Sequence, residues 1–245
     1  MLVEAAVDTL ESAVLAERAG AARIELCAGL CDGGLTPGTG LIATVVERVR
    51  VPVFVMIRPR GGGFVYAADE LHVMLREIDA VRALGVSGIV CGALTAEGRI
   101  HVEQTRRLVD RAADLPVTFH RAFDFTRHLP ESLEDAVLAG AARALTSGGQ
   151  ATALEGAERI ASLQAQAAGR IGIVAGGGIR DHNVRDVIAR TGVREVHARI
   201  TSVTRGDAPG PPAALRLRKS LPHDETAWEE VDEAGMRRLI QQASA

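Results

Sequence analysis

The sequence nearly lacks lysine, and this scarcity bears directly on the chemistry that the chain can perform. Lys219 is the only lysine among 245 residues, because every other residue of the Lys and Arg set is arginine. A Schiff-base mechanism needs an amine on or near a strand of the scaffold, close to the reacting carbonyl group. Lys219 belongs instead to a Pro- and Arg-containing segment near the C-terminus. We therefore do not expect a lysine-dependent aldolase.

The chain also lacks a charge excess, a long apolar run and a disulfide framework. Its formal net charge is −3 with acidic and basic residues interspersed, so no strong field attracts nucleic acid or an anionic membrane. No apolar run approaches the roughly 18 to 20 residues of a membrane span, and the first residues do not resemble a secretory signal. Three cysteines are too few for a disulfide framework. We expect a cytoplasmic protein with no nucleic-acid or membrane partner.

Short apolar strands alternate with amphipathic helical stretches from the start of the sequence. Eight strands are predicted, at residues 2–6, 23–27, 53–58, 88–91, 117–120, 143–146, 171–175 and 195–198. The stretches between them carry apolar residues at helical spacing, as at Leu71, Leu75 and Ile78. Eight strand–helix units over about 250 residues are what a (β/α)8 barrel requires. The sequence therefore predicts an α/β protein, with a single-domain TIM barrel over residues 1–245.

One segment departs from this alternation. Residues 199–223 contain proline, glycine and arginine, and they precede a predicted acidic helix near residues 224–242. A loop of this length is uncommon inside a compact domain, so we interpret it as a lid, a contact with another subunit, or a disordered tail. We expect a homodimer or a larger homo-oligomer.

Alternation within the predicted strands separates two faces. In a barrel, residues of one parity point into the lumen, and residues of the other parity pack beneath the helices. The predicted lumen side is mostly polar, and it includes Glu4, Glu25, Cys27, Phe54, Met56, Arg58, Thr118, His120, Glu195 and His197. Several charges in one lumen would be costly unless they were paired or partly solvated. This pattern favours a functional site at the upper end of the lumen.

The stretch at residues 118–124 carries the clearest catalytic signal, because titratable side chains follow directly on a buried strand. The carboxyl ends of strands are where α/β folds place their sites. His120 and His197 are candidate acids or bases, with Glu25 and Asp124 as the carboxylates that set their protonation. Two alternatives stay open: the histidines could be metal ligands, or His120 could be a structural residue that pairs with a carboxylate.

Arg58-Pro59-Arg60, followed by three glycines, has the composition of an anion-binding loop. The proline restrains the backbone between the two arginines, and the glycines that follow let a ligand approach the backbone closely. The alternative is a flexible loop whose arginines pair with carboxylates of the protein itself, namely Glu4, Glu25 or Asp124.

Glycines after the predicted strands six and seven suggest a second set of anion donors. In phosphate-binding barrels, the loops after strands seven and eight, with a helix N-terminus, supply backbone N–H groups to the phosphate. Only half of that pattern is present here, because the predicted eighth strand at 195–198 ends without a following glycine. Gly177 and Gly178 follow strand seven, Ser147 and Gly148 follow strand six, and Arg121 adds a guanidinium. Glycines also occur simply because loops turn. With these residues, the expected partner is a small anionic molecule.

Cys27 and Cys31 are the only closely spaced thiols, and they are the candidate metal ligands. Thiolates are soft ligands that select Cu(I) or zinc. The alternative is a small buried cysteine at the end of a strand. The sequence contains no motif for a hard catalytic metal, no nucleophile elbow and no nucleotide-binding loop in the right context. Cu(I) is therefore the one cofactor considered, and no organic cofactor is indicated.

Taken together, the motifs of this chain resemble the copper homeostasis protein CutC family, in collinear order up to about His197. The residues that carry this resemblance are Glu25 to Cys27, Gly33 to Pro37, Arg58 to Gly62 with Phe64 and Tyr66, Thr118 to Asp124, Leu145 to Gly148, Ala175 to Ile179, and Glu195 to His197. The resemblance implies a (β/α)8 barrel in the cytoplasm, a role in copper handling, and a polar pocket at the C-terminal face. The family's motif residues correspond here to Glu25, Cys27, Arg58, Arg60, His120, Arg121, Asp124, Ser147 and His197.

Three hypotheses of different classes follow. The first is a copper homeostasis protein that binds Cu(I) through Cys27, with Cys31 or a histidine as a second ligand. The second is a lyase or isomerase that acts on a small phosphorylated or carboxylated substrate, with histidine and carboxylate side chains moving a proton. The third is a barrel without catalytic activity that serves as an interaction partner through its long C-terminal segment.

Overall fold

Eight parallel strands close into a barrel in the computed structural model of the chain, which describes residues 1–207 and 226–245. The strands are β1 Leu2–Val7, β2 Arg23–Leu26, β3 Val53–Met56, β4 Gly88–Cys91, β5 Val117–Phe119, β6 Arg143–Thr146, β7 Gly172–Gly176 and β8 Glu195–Ala198. Each strand pairs with the next along the chain, and β8 pairs with β1 to close the ring. The predicted TIM barrel is confirmed.

Helices follow the strands and form the outer layer. They are α1 Leu10–Ala19, α2 Thr39–Arg48, α3 Ala68–Arg82, α4 Val102–Ala112, α5 Leu129–Leu138, α6 Ala157–Ala167, α7 Val184–Thr191 and α8 Glu233–Ser244. Helix α1 shows how local sequence sets the limits. The Thr9 hydroxyl accepts the N–H of Ser12 at 3.0 Å, and Gly20 ends the helix in the left-handed conformation that glycine adopts without strain. None of the helices in the described ranges is long and apolar enough to cross a membrane.

The two parities of the strands build two different cores. The outward-facing side chains, among them Val3, Ile24, Val55, Phe119 and Val196, are buried beneath the helices in one large apolar cluster. Inside the barrel lies a smaller cluster of Cys27, Phe54, Met56 and Val90. The remaining lumen positions are polar, and they include Glu4, Arg23, Thr118 and His120, all buried. The alternation of the sequence thus separates a dry outer core from a polar lumen.

An ion-pair network spans the lower part of the lumen. Arg23 pairs with Glu4 and, at 2.7 Å, with Glu195, which Arg143 also contacts at 3.2 Å. The guanidinium carbons of Arg23 and Arg143 lie 4.9 and 5.1 Å from the centre of the Phe54 ring. Glycine at position 88 leaves room for that ring, because a β-carbon there would stand 2.6 Å from it. The lumen is therefore filled by paired charges stacked on one aromatic ring.

The structure differs from the sequence-based expectation after β8. Part of the predicted loop at 199–223 is a strand, β9 Thr201–Arg205, which pairs antiparallel with β10 Ala227–Val231. The last helix begins at Glu233 and not near 224, because Asp232 caps it by accepting the N–H of Gly235 at 3.0 Å. Residues 208–225, with Lys219 and His223, lie outside the described residues.

Candidate functional site

The polar groups of β1, β2 and β8 meet in the lumen, because these strands are neighbours in the closed ring. Glu4 lies level with Arg23 on one side and with His197 on the other. His197 Nδ1 lies 2.8 Å from Glu4 Oε1 and 3.9 Å from Glu25 Oε2. Glu25 Oε1 in turn accepts the Cys27 thiol at 3.5 Å. One nitrogen of His197 therefore faces two buried carboxylates.

Glu4 is the permanent anion of this cluster. Burial alone would raise the pKa of its carboxyl, but the hydrogen bond and charge of His197, together with Arg23, lower that pKa to about 2. Its two oxygens are divided between these partners, with Oε2 on Arg23 and Oε1 on His197. The sequence placed Glu4 on the lumen side, with the same parity as Glu25 and His197, and offered it as a possible partner of the arginines after β3, but it was not predicted as a site residue.

Glu25 and His197 both hold protons more strongly than usual. Burial is the main reason that the pKa of the Glu25 carboxyl is raised, and the positive charge of His197 opposes that effect. Burial acts against the charged form of His197, but the charges of Glu25 and Glu4 and the hydrogen bond to Glu4 raise its pKa above the usual value. Glu25 Oε2 is buried without a hydrogen-bond partner. The cluster therefore carries the same net charge whether its proton rests on His197 or on Glu25.

His120 has a different environment from His197. Its Nδ1 accepts the N–H of Ala122 at 3.3 Å, and its ring packs against Phe64 and Phe119. Burial, and then the charge of Arg58, lower its pKa to about 3, so the ring is neutral at pH 7. Because Nδ1 is an acceptor, the proton lies on Nε2, which is buried without an acceptor. The structure brings His197, and not His120, to the carboxylates.

Replacing His120 with glutamine is expected to flatten the pH dependence of stability between pH 6.5 and 5. In this window the unfolded chain protonates His120 but the native state does not, so wild-type stability falls as the pH falls. The slope from this residue reaches about 1.4 kcal/mol per pH unit. The Glu4 carboxyl contributes to the pH dependence of stability only below about pH 4.5, which is its usual pKa. Urea unfolding at several pH values measures the slope, and the exposed His72→Gln serves as control. A slope equal to wild type in His120→Gln would contradict this assignment.

Asp124 holds the loop after β6. Its Oδ1 accepts the Thr146 hydroxyl at 2.5 Å and the Gly149 N–H at 2.9 Å, and its Oδ2 accepts the Ser147 N–H at 3.0 Å. Arg121 pairs with the same carboxylate. The N–H of Gly148 is used by the Thr146 hydroxyl at 2.8 Å. Asp124 therefore occupies the Ser147 donor, and Thr146 occupies the Gly148 donor, that the sequence suggested for an external anion.

Arg58 and Arg60 are also engaged within the protein. The buried Arg58 guanidinium donates to the carbonyl oxygens of Asp32, Gly34 and Gly62, at 3.0, 3.1 and 2.7 Å. Its Nε is buried without a partner, and the group stacks on Phe64. Arg60 pairs with Glu70 and donates to loop carbonyls. The alternative interpretation had these arginines pair with Glu4, Glu25 or Asp124, but their partners are loop carbonyls and Glu70. The two arginines fix the loop after β3, and binding of an external anion by them stays a prediction.

The two candidate metal ligands face different surroundings. Cys27 is buried beside Glu25, whereas Cys31 is exposed beside Asp32. Burial, and then the negative charge of Glu25, raise the pKa of the Cys27 thiol well above its usual value. Among the described residues, the one group of three His, Cys, Asp or Glu side chains with ligand atoms within 4.8 Å of one another is Glu4, Glu25 and His197. Sequence reasoning did not identify that group as a metal site, and Arg23 already neutralises part of it.

A cavity of about 330 Å³ opens at the C-terminal face, beside β7 and β8. It is lined by Arg121, Gly177, Gly178, Ile179, Arg180, His197, Ala198, Arg199, Thr201 and Glu229. Four of these were predicted as site residues, namely Arg121, Gly177, Gly178 and His197. Arg180 and Arg199 were missed, although each follows a strand end by a few positions. Because His197 lines this cavity, the cluster of Glu4, Glu25 and His197 is accessible from the C-terminal face of the barrel.

Comparisons with known proteins agree with one another. A family model described as the CutC family matches residues 1–202. A CutC family protein of Xanthomonas axonopodis pv. citri is 43% identical over 240 residues, which cover 98% of both chains. A mouse protein named copper homeostasis protein cutC homolog is 43% identical over 238 residues, covering 97% of this chain and 88% of the relative.

Solved structures add to this picture. The crystal structure of CutC from Streptococcus agalactiae is 33% identical, with a TM-score of 0.77, and the match covers 80% of this chain and 97% of that one. Phosphoribosylanthranilate isomerase from Thermotoga maritima is 12% identical with a TM-score of 0.61, covering 100% of this chain and 98% of that one, which shows a shared fold only.

Proposed function

The chain belongs to the CutC family, and on that premise we propose that its barrel mouth is an acid–base site for a small anionic substrate, with His197 exchanging the proton. The observation that carries this proposal is the position of His197. Its Nδ1 faces the buried carboxylates of Glu4 and Glu25, and the residue lines an open cavity at the carboxyl ends of the strands. Perturbed titratable groups in such a cleft favour a catalytic role.

The proton can be followed through the cluster. When it rests on Glu25, the imidazole of His197 is neutral and can accept a proton from a carbon next to a carbonyl group. The electrons of the broken C–H bond then move onto the carbonyl oxygen, and the arginines that line the cavity stabilise that negative charge. Return of the proton to the opposite face of the same carbon, or to the former carbonyl carbon while the hydroxyl proton passes to the enolate oxygen, gives isomerase chemistry. Collapse of the enolate with departure of a leaving group from the β-carbon, together with its electron pair, gives lyase chemistry.

The test is incorporation of solvent deuterium. The protein is incubated in D2O with a panel of phosphorylated and carboxylated α-hydroxy ketones and aldehydes, and the α-proton signals are followed by NMR. We expect at least one compound to lose its α-proton faster than in buffer alone. Exchange at the buffer rate for every compound of the panel would contradict the proposal.

A second candidate function is Cu(I) binding at Cys27, in keeping with the name of the mouse relative. The observation that favours it is a pair of soft side chains. Cys27 Sγ and Met56 Cε lie 3.2 and 3.5 Å from the point where a β-carbon on Gly34 would stand. Thiol and thioether sulfurs are the ligands that Cu(I) prefers.

We also propose a cytoplasmic location, which three free cysteines support.

Replacing Cys27 with serine is expected to abolish Cu(I) binding if this second function holds. Because burial and Glu25 keep the thiol protonated, the metal must displace its proton, so binding strengthens as the pH rises. Competition with a coloured Cu(I) chelator measures the affinity, and Cys31→Ser serves as the matched control at an exposed thiol. Undiminished Cu(I) binding in Cys27→Ser would exclude Cys27 as the ligand.

A further inference from the structure

We propose that the cavity beside His197 contains a phosphate subsite formed by Gly177, Gly178, Arg121 and Arg199. The proposal deepens the acid–base function and rests on it only for placing the reacting carbon next to His197. The ligand class that it names is a small phosphate monoester whose carbonyl end reaches His197.

The first observation concerns the backbone after β7. The carbonyl of Gly177 accepts the N–H of Ala153 at 2.8 Å, and the carbonyl of Gly178 accepts the Asn183 side chain at 2.9 Å. Their own N–H groups find no acceptor among the described residues. Both glycines have positive φ, 103° and 66°, which presents consecutive N–H groups on one loop. Unpaired N–H groups of this kind bind phosphate oxygens.

The second observation concerns Arg121. Its Nε pairs with Asp124, and its Nη2 donates to the Ser147 hydroxyl at 2.8 Å. Its Nη1 would stand 2.8 Å from a β-carbon on Gly177, so only glycine lets the guanidinium approach this loop. Asp124 and Ser147 hold the guanidinium in place, and Nη1 lies close to Gly177. A charged donor fixed in this way loses little freedom when it binds an anion.

The third observation is the charge of the lining. Arg199 pairs with Glu229 through Nη1 at 2.5 Å, but its buried Nε has no hydrogen-bond partner in the part of the chain that the structure describes. Arg180 also lines the cavity, and Glu229 is the one carboxylate among the described residues that line it. Positive side chains therefore outnumber carboxylates here. A dianionic phosphate matches this excess better than a carboxylate does, and 330 Å³ accommodates a small monoester.

The experiment measures binding of inorganic phosphate by isothermal titration calorimetry, on the whole chain at pH 7.5. We expect saturable binding to wild type, tighter than that of acetate. Arg199→Met is expected to weaken it about 10-fold or more, because a charged donor is lost. Arg199→Lys is expected to bind phosphate with an affinity between those of wild type and Arg199→Met. Such an intermediate affinity shows that the weaker binding of Arg199→Met comes from loss of the charge and not from loss of the fold. The exposed Arg190→Met is the control and should bind as wild type does.

Three outcomes would overturn the subsite: no saturable binding to wild type, equal affinity for acetate and phosphate, or wild-type affinity in Arg199→Met. His197→Gln separates this inference from the proposed function. Phosphate binding that persists in His197→Gln, without deuterium exchange by wild type on any compound, retains the subsite and removes the catalytic role. Deuterium exchange by wild type without any phosphate binding retains the catalytic role and removes the subsite.

Discussion

Replacing Arg23 with methionine is expected to lower the free energy of unfolding by about 3–5 kcal/mol, the usual effect of removing one partner from a buried ion pair. Arg23 is buried and serves two carboxylates, Glu4 and Glu195, besides stacking on Phe54. Without it, Glu4 stays buried with His197 as its only strong partner. The penalty arises mainly because a charge is left uncompensated in the lumen. Urea unfolding at pH 7 measures the change.

Arg111→Met is the matched control for this substitution. Arg111 pairs with Asp79 on the surface, where the two side chains are 52% and 42% exposed. Exposed pairs of this kind contribute about 0–1 kcal/mol. Adding Glu4→Gln to Arg23→Met should recover part of the loss, because the uncompensated charge is then removed. If Arg23→Met were no less stable than Arg111→Met, the lumen network would not stabilise the barrel.

Replacing His197 with glutamine is expected to slow deuterium exchange of a substrate about 10²–10⁴-fold, the usual contribution of a general acid or base. Glutamine keeps a polar side chain of similar reach beside Glu4 but cannot carry the proton. Binding of the anionic end should be little changed, because the phosphate donors lie on the loop after β7 and on the arginines. The effect should therefore fall on kcat rather than on KM.

The exposed histidine at position 182 supplies the control for this second substitution. His182 is 75% exposed and lies near Asp181, so His182→Gln should exchange at the wild-type rate. Glu25→Gln tests the proton-sharing partner and should slow exchange while shifting its pH profile. If His197→Gln exchanged deuterium as fast as wild type on a compound that wild type turns over, His197 would not be the acid–base group.

The fold could be read from the sequence because two periodic signals agree along most of the chain. Apolar residues at every second position mark the strands, and apolar residues at helical spacing mark the helices. The predicted strand at 88–91 coincides with β4, and that at 171–175 is shifted by one residue from β7. The hairpin of β9 and β10 was missed, since its residues Thr201–Arg205 adjoin a segment rich in proline and glycine that resembles a loop.

The candidate site was harder to predict than the fold, because sequence gives the type of a side chain but not its partners. His120 and His197 were both predicted on the lumen side near the carboxyl end of a strand, yet one packs against phenylalanines and the other faces two carboxylates. Asp124 and Arg58 were candidate ligand-binding side chains, but backbone groups of the surrounding loops hydrogen-bond to them. These outcomes depend on the packing of loops that are distant in sequence. The oligomeric state stays a prediction.

The most direct test of the small-molecule site is native mass spectrometry of the protein purified from cells grown with added copper. Wild type is expected to carry a small organic anion, and Cys27→Ser is expected to carry the same anion. A copper adduct alone, lost in Cys27→Ser, would contradict the proposal that the mouth of this barrel acts on a small anionic substrate, and it would assign the lumen to Cu(I).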